Sequence, residues 1–266
     1  MPDITLGQYY QTDSILHRLD ARIKLIGTFI YLVSLFIANN TFGFLFAALF
    51  LVIMMALSRV PLSFILRGLK TVFVLLVITM LFNALLTPGH AIFRAGPLSV
   101  TREGVSFAVM MGFRLTLLVL GSAIMTLTTT PSGLTGAIEG VMKPLKFIGV
   151  PVANIAMMMS IALRFIPILA EEADRIMMAQ KARGADFDSG NIIARARGLV
   201  PLMIPLFVSA FRRASDLALA MDARCYNDGK GRTRLNPMVM KNRDYIALAV
   251  LLTYLLIVLM IRRYTA

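Results

Sequence analysis

Apolar residues fall in long blocks separated by short polar breaks. The blocks cover about 25–38, 42–57, 69–86, 105–127 and 245–261. The breaks include Asn39-Asn40, Ser58-Arg59-Val60-Pro61, Pro88-Gly89 and Thr128-Thr129-Thr130-Pro131. Blocks of this length predict about five membrane-spanning helices. The first two are short, so they are expected as a tilted pair joined by a tight turn. Residues 88–102, rich in Gly and Pro, are expected as a loop.

Between 131 and 243 the pattern changes. Pro131, Pro144 and Pro151 cut the first part into short pieces, and 134–142 predicts a short amphipathic helix. The stretch 152–163, with Met157, Met158 and Met159, runs into Arg164-Phe165-Ile166-Pro167 and a first long helix, with a kink expected near Pro167. Ile166, Leu169, Ala173 and Ile176 recur at helical steps. Phe207, Phe211, Ala214, Ala218 and Met221 do the same in a second long helix, near whose start Pro201 and Pro205 stand. Alanines in both stripes suit closely approaching backbones. Asp186, Asp188, Ser189 and Gly190 are expected to form the turn between the two helices.

Both long helices end alike. The first closes on Ala182-Arg183-Gly184 and the second on Ala223-Arg224-Cys225. Aligning the arginines also aligns Ala179 with Ala220 and Ala173 with Ala214. Two readings stay open. Each arginine is a cation capping the negative end of its helix, or each projects a planar fork onto a partner's carboxylates or carbonyls. Glu171 with Arg175, and Arg212 with Asp216, have the spacing of helix ion pairs.

Composition adds the membrane and the orientation. Of 266 residues, 58% are hydrophobic and 15% charged, yet the net charge is +13. Sixteen Lys and Arg residues lie between 131 and 243, so the basic excess reads as topology and membrane-surface charge rather than as a nucleic-acid site. The N-terminus and the 131–243 region are therefore expected on the cytoplasmic side, and the 87–104 loop outside. The division expected is 1–130 membrane bundle, 131–243 cytoplasmic region of long helices and 244–266 last span. One cysteine, Cys225, excludes an internal disulfide and a multi-cysteine metal site.

The chemistry expected of an enzyme or a pump is missing. The sequence has no phosphate-loop, Gly-x-Ser-x-Gly or His-Glu-x-x-His pattern. Arg114 is the one charge deep in a span. It reads as a structural pin on carbonyl or hydroxyl groups, or as a functional intramembrane charge. His17 has no companion ligands and reads as structural.

Four segments carry a family resemblance: Asp13-Ser14-Ile15-Leu16-His17-Arg18-Leu19-Asp20 with Arg22 and Lys24-Leu25; Thr128-Thr129-Thr130-Pro131; Leu163-Arg164-Phe165-Ile166-Pro167; and the two arginine tips. On these the chain resembles the transmembrane T components of energy-coupling factor transporters, the ABC-type importers of vitamins and metals. Cys225 departs from the glycine common there, and a small residue is expected to keep the geometry. The resemblance implies an all-α polytopic membrane bundle with long, crossed cytoplasmic coupling helices in the cell membrane. It implies docking of Ala182, Arg183, Gly184, Ala223, Arg224 and Cys225 on two ATP-binding ATPase subunits. It further implies one or several exchangeable substrate-binding S components and a lipid surround. The chain itself would hold no cofactor and catalyse nothing; ATP and Mg would sit on the ATPases. The alternatives are a permease that forms the substrate path itself, an intramembrane enzyme, and a component dedicated to cobalt or nickel.

Overall fold

A computed structural model describes residues 9–38, 40–95, 98–185, 187, 191, 198–226 and 239–265. Among these, the helices are α1 (Ala21–Ile37), α2 (Thr41–Ser58), α3 (Leu62–Leu86), α4 (Arg102–Thr128), α5 (Pro131–Met142), α6 (Val152–Ala182), α7 (Val200–Ala223) and α8 (Asn242–Thr265). A 3₁₀ turn, Lys143–Ile148, precedes α6. The expected loop after α3 contains a small antiparallel hairpin, β1 (Ala91–Ala95) with β2 (Leu98–Thr101), in which Phe93 pairs with Val100 and Ala95 with Leu98. The turn-forming residues Asp186, Asp188, Ser189 and Gly190 lie outside the described residues.

The chain divides into two compact units. One holds residues 7–140 and 238–266, the other 1–6 and 141–237. In the first, α1, α2, α4 and α8 meet around Tyr31, Leu35, Phe44, Leu51, Leu117, Tyr254 and Val258. Ser34 Oγ donates to the Tyr31 carbonyl at 2.6 Å, so the Tyr254 hydroxyl donates to Ser34 Oγ at 2.7 Å and pins α8 to α1. The Tyr254 ring stacks on Phe50 of α2 at 4.2 Å. The α3 side chains Phe73, Leu75, Leu81 and Phe82 are exposed, as an apolar solvent permits.

Four helices are long and apolar enough to cross a membrane: α2, α4, α6 and α8. The two halves of α3, Leu62–Lys70 and Val72–Leu86, meet at a 56° bend and pass the same test only when taken together as one span. With 17 residues, α1 reaches about 26 Å by helix rise, short of a hydrocarbon core of about 30 Å. The architecture is an all-α polytopic bundle. By length and composition alone α6 ranks with its spans, although its second half carries Glu171, Glu172, Asp174, Arg175 and Lys181.

Candidate functional site

The two helix tips close in one geometry. At the first, the Gly184 N–H donates to the Lys181 carbonyl at 3.0 Å and the Ala185 N–H to Gln180 at 2.9 Å. At the second, the Cys225 N–H donates to Asp222 at 2.9 Å and the Tyr226 N–H to Met221 at 3.1 Å. These paired bonds define a Schellman motif, which satisfies the last carbonyls of each helix. The motif needs a left-handed residue after the cap, here Gly184 (φ 87°) and Cys225 (φ 54°). A Cβ at Gly184 would meet nothing within 4 Å, so only the backbone angle asks for glycine there. Cys225 accepts the angle despite its side chain.

Arg183 and Arg224 occupy the cap position itself, where the backbone has left helical values (φ −86°, ψ 6° and φ −93°, ψ 12°). Both side chains are exposed. Among the described residues neither guanidinium has an ion pair or a hydrogen bond.

The helices that carry these tips pack on each other. Arg213 of α7 donates to Glu172 of α6 at 3.0 Å, and Gln180 Nε2 to the Pro201 carbonyl at 3.3 Å. Rising numbers on α6 meet falling numbers on α7, so the pair is antiparallel and its tips point opposite ways. Between them lies a cavity lined by Phe165, Leu169, Ala210, Ala214, Leu217 and Met221, among others. This inner face is rotated from the predicted stripe: Phe207 and Phe211 are exposed, while Ala210 and Leu217 face the partner. Small side chains at Ala210, Ala214 and Ala218 admit α6 where the phenylalanine rings would hold it off. Pro167 does not end α6. Of the two expected intrahelical ion pairs, Glu171–Arg175 forms at 4.0 Å with both partners largely exposed. Arg212 and Asp216 make none among the described residues, and the neighbouring Arg213 bridges the helices instead.

Two segments of the family pattern lock together. Asp20 caps α1 by accepting from the Arg22 N–H at 2.9 Å. Lys24 Nζ donates to the Thr128 carbonyl at 2.8 Å and to the His17 carbonyl at 3.3 Å. The Tyr10 N–H donates to the Leu127 carbonyl at 2.9 Å, so the freed carbonyls at the α4 end find donors. Thr130 then caps α5, accepting from Gly133 at 3.1 Å, with Pro131 at the first helical position. His17 Nε2 faces the Tyr10 carbonyl at 2.9 Å and must donate to it, which leaves Nδ1 to accept from Ser14 Oγ at 2.7 Å. In the neutral ring these contacts fix the tautomer, and burial lowers its pKa below the ordinary value. Sequence reasoning missed Asp244. It is 2% exposed, and its carboxylate accepts the Asp20 N–H at 2.9 Å and the Lys241 N–H at 2.8 Å. An acid in the first turn of a helix was the available signal.

Arg114 donates to the Ala38 carbonyl at 3.3 Å, just past the end of α1. Its guanidinium carbon also lies 5.3 Å from the Phe44 ring centroid and 5.7 Å from that of Phe36. Its guanidinium thus lies against the C-terminal end of α1.

Known proteins share this pattern over nearly the whole chain. The sequence model of the CbiQ family, described as "Cobalt transport protein", matches residues 12–235. The chain belongs to this family. Its relatives include proteins named "Energy-coupling factor transporter transmembrane protein EcfT". That of Clostridium kluyveri is 49% identical over 92% of this chain and 92% of its own length. That of Acidaminococcus fermentans is 48% identical over 96% and 97%. That of Bacillus subtilis is 42% identical over 96% and 99%. The family match takes in all four segments quoted above, including both arginine tips.

Proposed function

We propose that this chain is the non-catalytic coupling subunit of an energy-coupling factor importer in the cell membrane. Arg183 and Arg224, with their neighbours Ala182, Gly184, Ala223 and Cys225, dock on two ATPase subunits. Those subunits hold ATP and Mg; their closure moves the two tips, and the motion passes to a substrate-binding S component for uptake of a vitamin or other micronutrient. What carries this reading is one observation: two identically capped arginines stand exposed, and unpaired among the described residues, at opposite ends of an antiparallel helix pair. A cation that only capped its helix would leave no reason for two matching, opposed tips.

The reading places the N-terminus and residues 131–243 on the cytoplasmic side; α1, α2, α3 and α4 then each cross the membrane, the short α1 by local thinning of the bilayer, and α6 does not cross. There α6 lies along the membrane surface, its apolar first half toward lipid and its charged second half toward water. Cys225, the lone exposed thiol, reports on this directly. An impermeant maleimide should label it only after cells are permeabilised; labelling in intact cells reverses the orientation.

The docking test is copurification of ATPase subunits with Arg183→Ala, Arg224→Ala and the double variant, together with transport in vesicles. Removing one buried, forked charge from an interface costs about 2–5 kcal/mol, so the double variant should lose its ATPases. Lysine keeps the charge without the fork and should rescue in part. A double alanine variant that assembles and transports normally reduces both arginines to caps.

A further inference from the structure

A trough of about 420 Å³ lies within the unit of residues 7–140 and 238–266. Its floor includes Tyr31, Leu51 and Leu251, all buried. Its rim includes Ile15, Ile246 and Val250, all apolar and exposed. A water-borne solute would gain little there, whereas a bilayer presses hydrocarbon against such a rim.

Two cations line the trough, and they share one end. Lys24 reaches the end of α4 at the Thr128 carbonyl. Arg243 precedes Asp244, whose carboxylate receives the N–H of Asp20, the cap of the helix that carries Lys24. Arg243 Nε is buried with no hydrogen-bond partner. Lys24 uses two of its three ammonium protons. Among the described residues no carboxylate lines the trough: Asp20 and Asp244 turn to backbone N–H groups instead.

Unused cationic donors at one end and apolar walls beyond them fit one ligand class. We propose that the trough holds a single phospholipid, its phosphate on Arg243 and Lys24 and one acyl chain running past Gly27 and Tyr31. Between Lys24 and Tyr31 the chain has about 10 Å of buried path by helix rise. The site needs a bilayer around the chain and makes no use of the helix tips, so it stands or falls apart from the docking of Arg183 and Arg224.

The test uses the full chain in nanodiscs doped with a phosphatidylglycerol carrying a photoreactive acyl chain. Cross-links should concentrate on the peptides bearing Thr28, Ile246 and Val250. Ala247→Phe, or Thr28→Leu if the first variant does not fold, fills the trough and should abolish that label while the melting temperature holds. Arg243→Gln should weaken retention of the lipid about fivefold, as loss of one basic contact to an anionic headgroup predicts. Diacylglycerol with the same photoreactive chain should label the site weakly, and excess inorganic phosphate should not displace the lipid. Labelling no denser here than on the exposed face of α3, labelling unchanged in the filled variants, or equal labelling by diacylglycerol overturns the proposal.

Discussion

Lys24 and Arg183 are both cations beside helix ends, and they are used in opposite ways. Lys24 gives its N–H groups to the carbonyls of Thr128 and His17, inside the unit formed with the last helix. Arg183 stands one residue past its last helical turn with no acceptor among the described residues. The same contrast runs through both regions. Around Lys24, the groups Asp20, Asp244, Ser14 and His17 all have partners within the chain. At the tips the closing backbone is satisfied, while the guanidiniums of Arg183 and Arg224 have no partner among the described residues. The groups around Lys24 fasten the bundle, while the docking proposed above draws on the two left over at the tips.

The largest effect should come from Asp244→Ala. It orphans two backbone N–H groups, and the loss of their charge-assisted bonds is expected to cost about 3 kcal/mol or more in thermal unfolding of the purified chain. Next, Lys24→Met should cost about 2 kcal/mol, because the carbonyls of Thr128 and His17 lose a charged donor. If either variant melted like the parent, the first half of the contrast would collapse.

Backbone changes at the tips sharpen the contrast at a smaller scale. Gly184→Ala should cost about 1 kcal/mol, read as fraying of the α6 end by hydrogen exchange, since only the left-handed angle opposes it. Cys225→Gly should instead relieve strain and gain less than about 1 kcal/mol, part of it returned as unfolded-state entropy.

His17 gives a pH test. Its folded pKa lies below the unfolded one, so the unfolded chain binds the extra proton first. The stabilisation from the neutral ring is complete above the unfolded value near 6.5 and declines as pH falls through it toward the folded value. Melting temperature followed from pH 8 to 5 should show this decline, and His17→Gln should flatten it. Smallest of all, Arg183→Ala and Arg224→Ala should shift stability by no more than about 0.5 kcal/mol, the usual range for surface substitutions. A larger loss would give these side chains an internal role and erase the difference from Lys24.

The membrane helices were legible because lipid imposes an apolar block on each of them: the α4 and α8 spans begin and end within a few residues of their apolar runs. The tips were legible because a repeated Ala-Arg followed by a small residue is a local signal. What could not be read depends on distant partners. Asp244 looked like one more charge in a basic stretch, and its acceptor role depends on Asp20, 224 residues away. The inner face of α7 turned by about a residue because three alanines, not two phenylalanines, let α6 approach. The hairpin after α3 hid behind its Gly and Pro content, which masks strands as readily as it marks turns. Arg114 showed that it needed a partner, and the carbonyl that it reaches lies just past the end of another helix.

The ion pair between Glu172 and Arg213 also sits midway between the two tips. Aligning the two arginine tips makes Glu172 the counterpart of Arg213, so the bridge joins matching positions of the two arms. Each tip lies 11 residues beyond it, from 172 to 183 and from 213 to 224, and neither stretch contains a proline. Each arm is therefore about 17 Å of unbroken helix, and together they set the tips about 33 Å apart along the pair. The helices are held together on both sides of this bridge, by the Gln180–Pro201 bond on one side and by Phe165 and Leu169 against Leu217 and Met221 on the other. If the tips dock as proposed, a load on either one reaches the other through the same packed stretch, past the Glu172–Arg213 bridge.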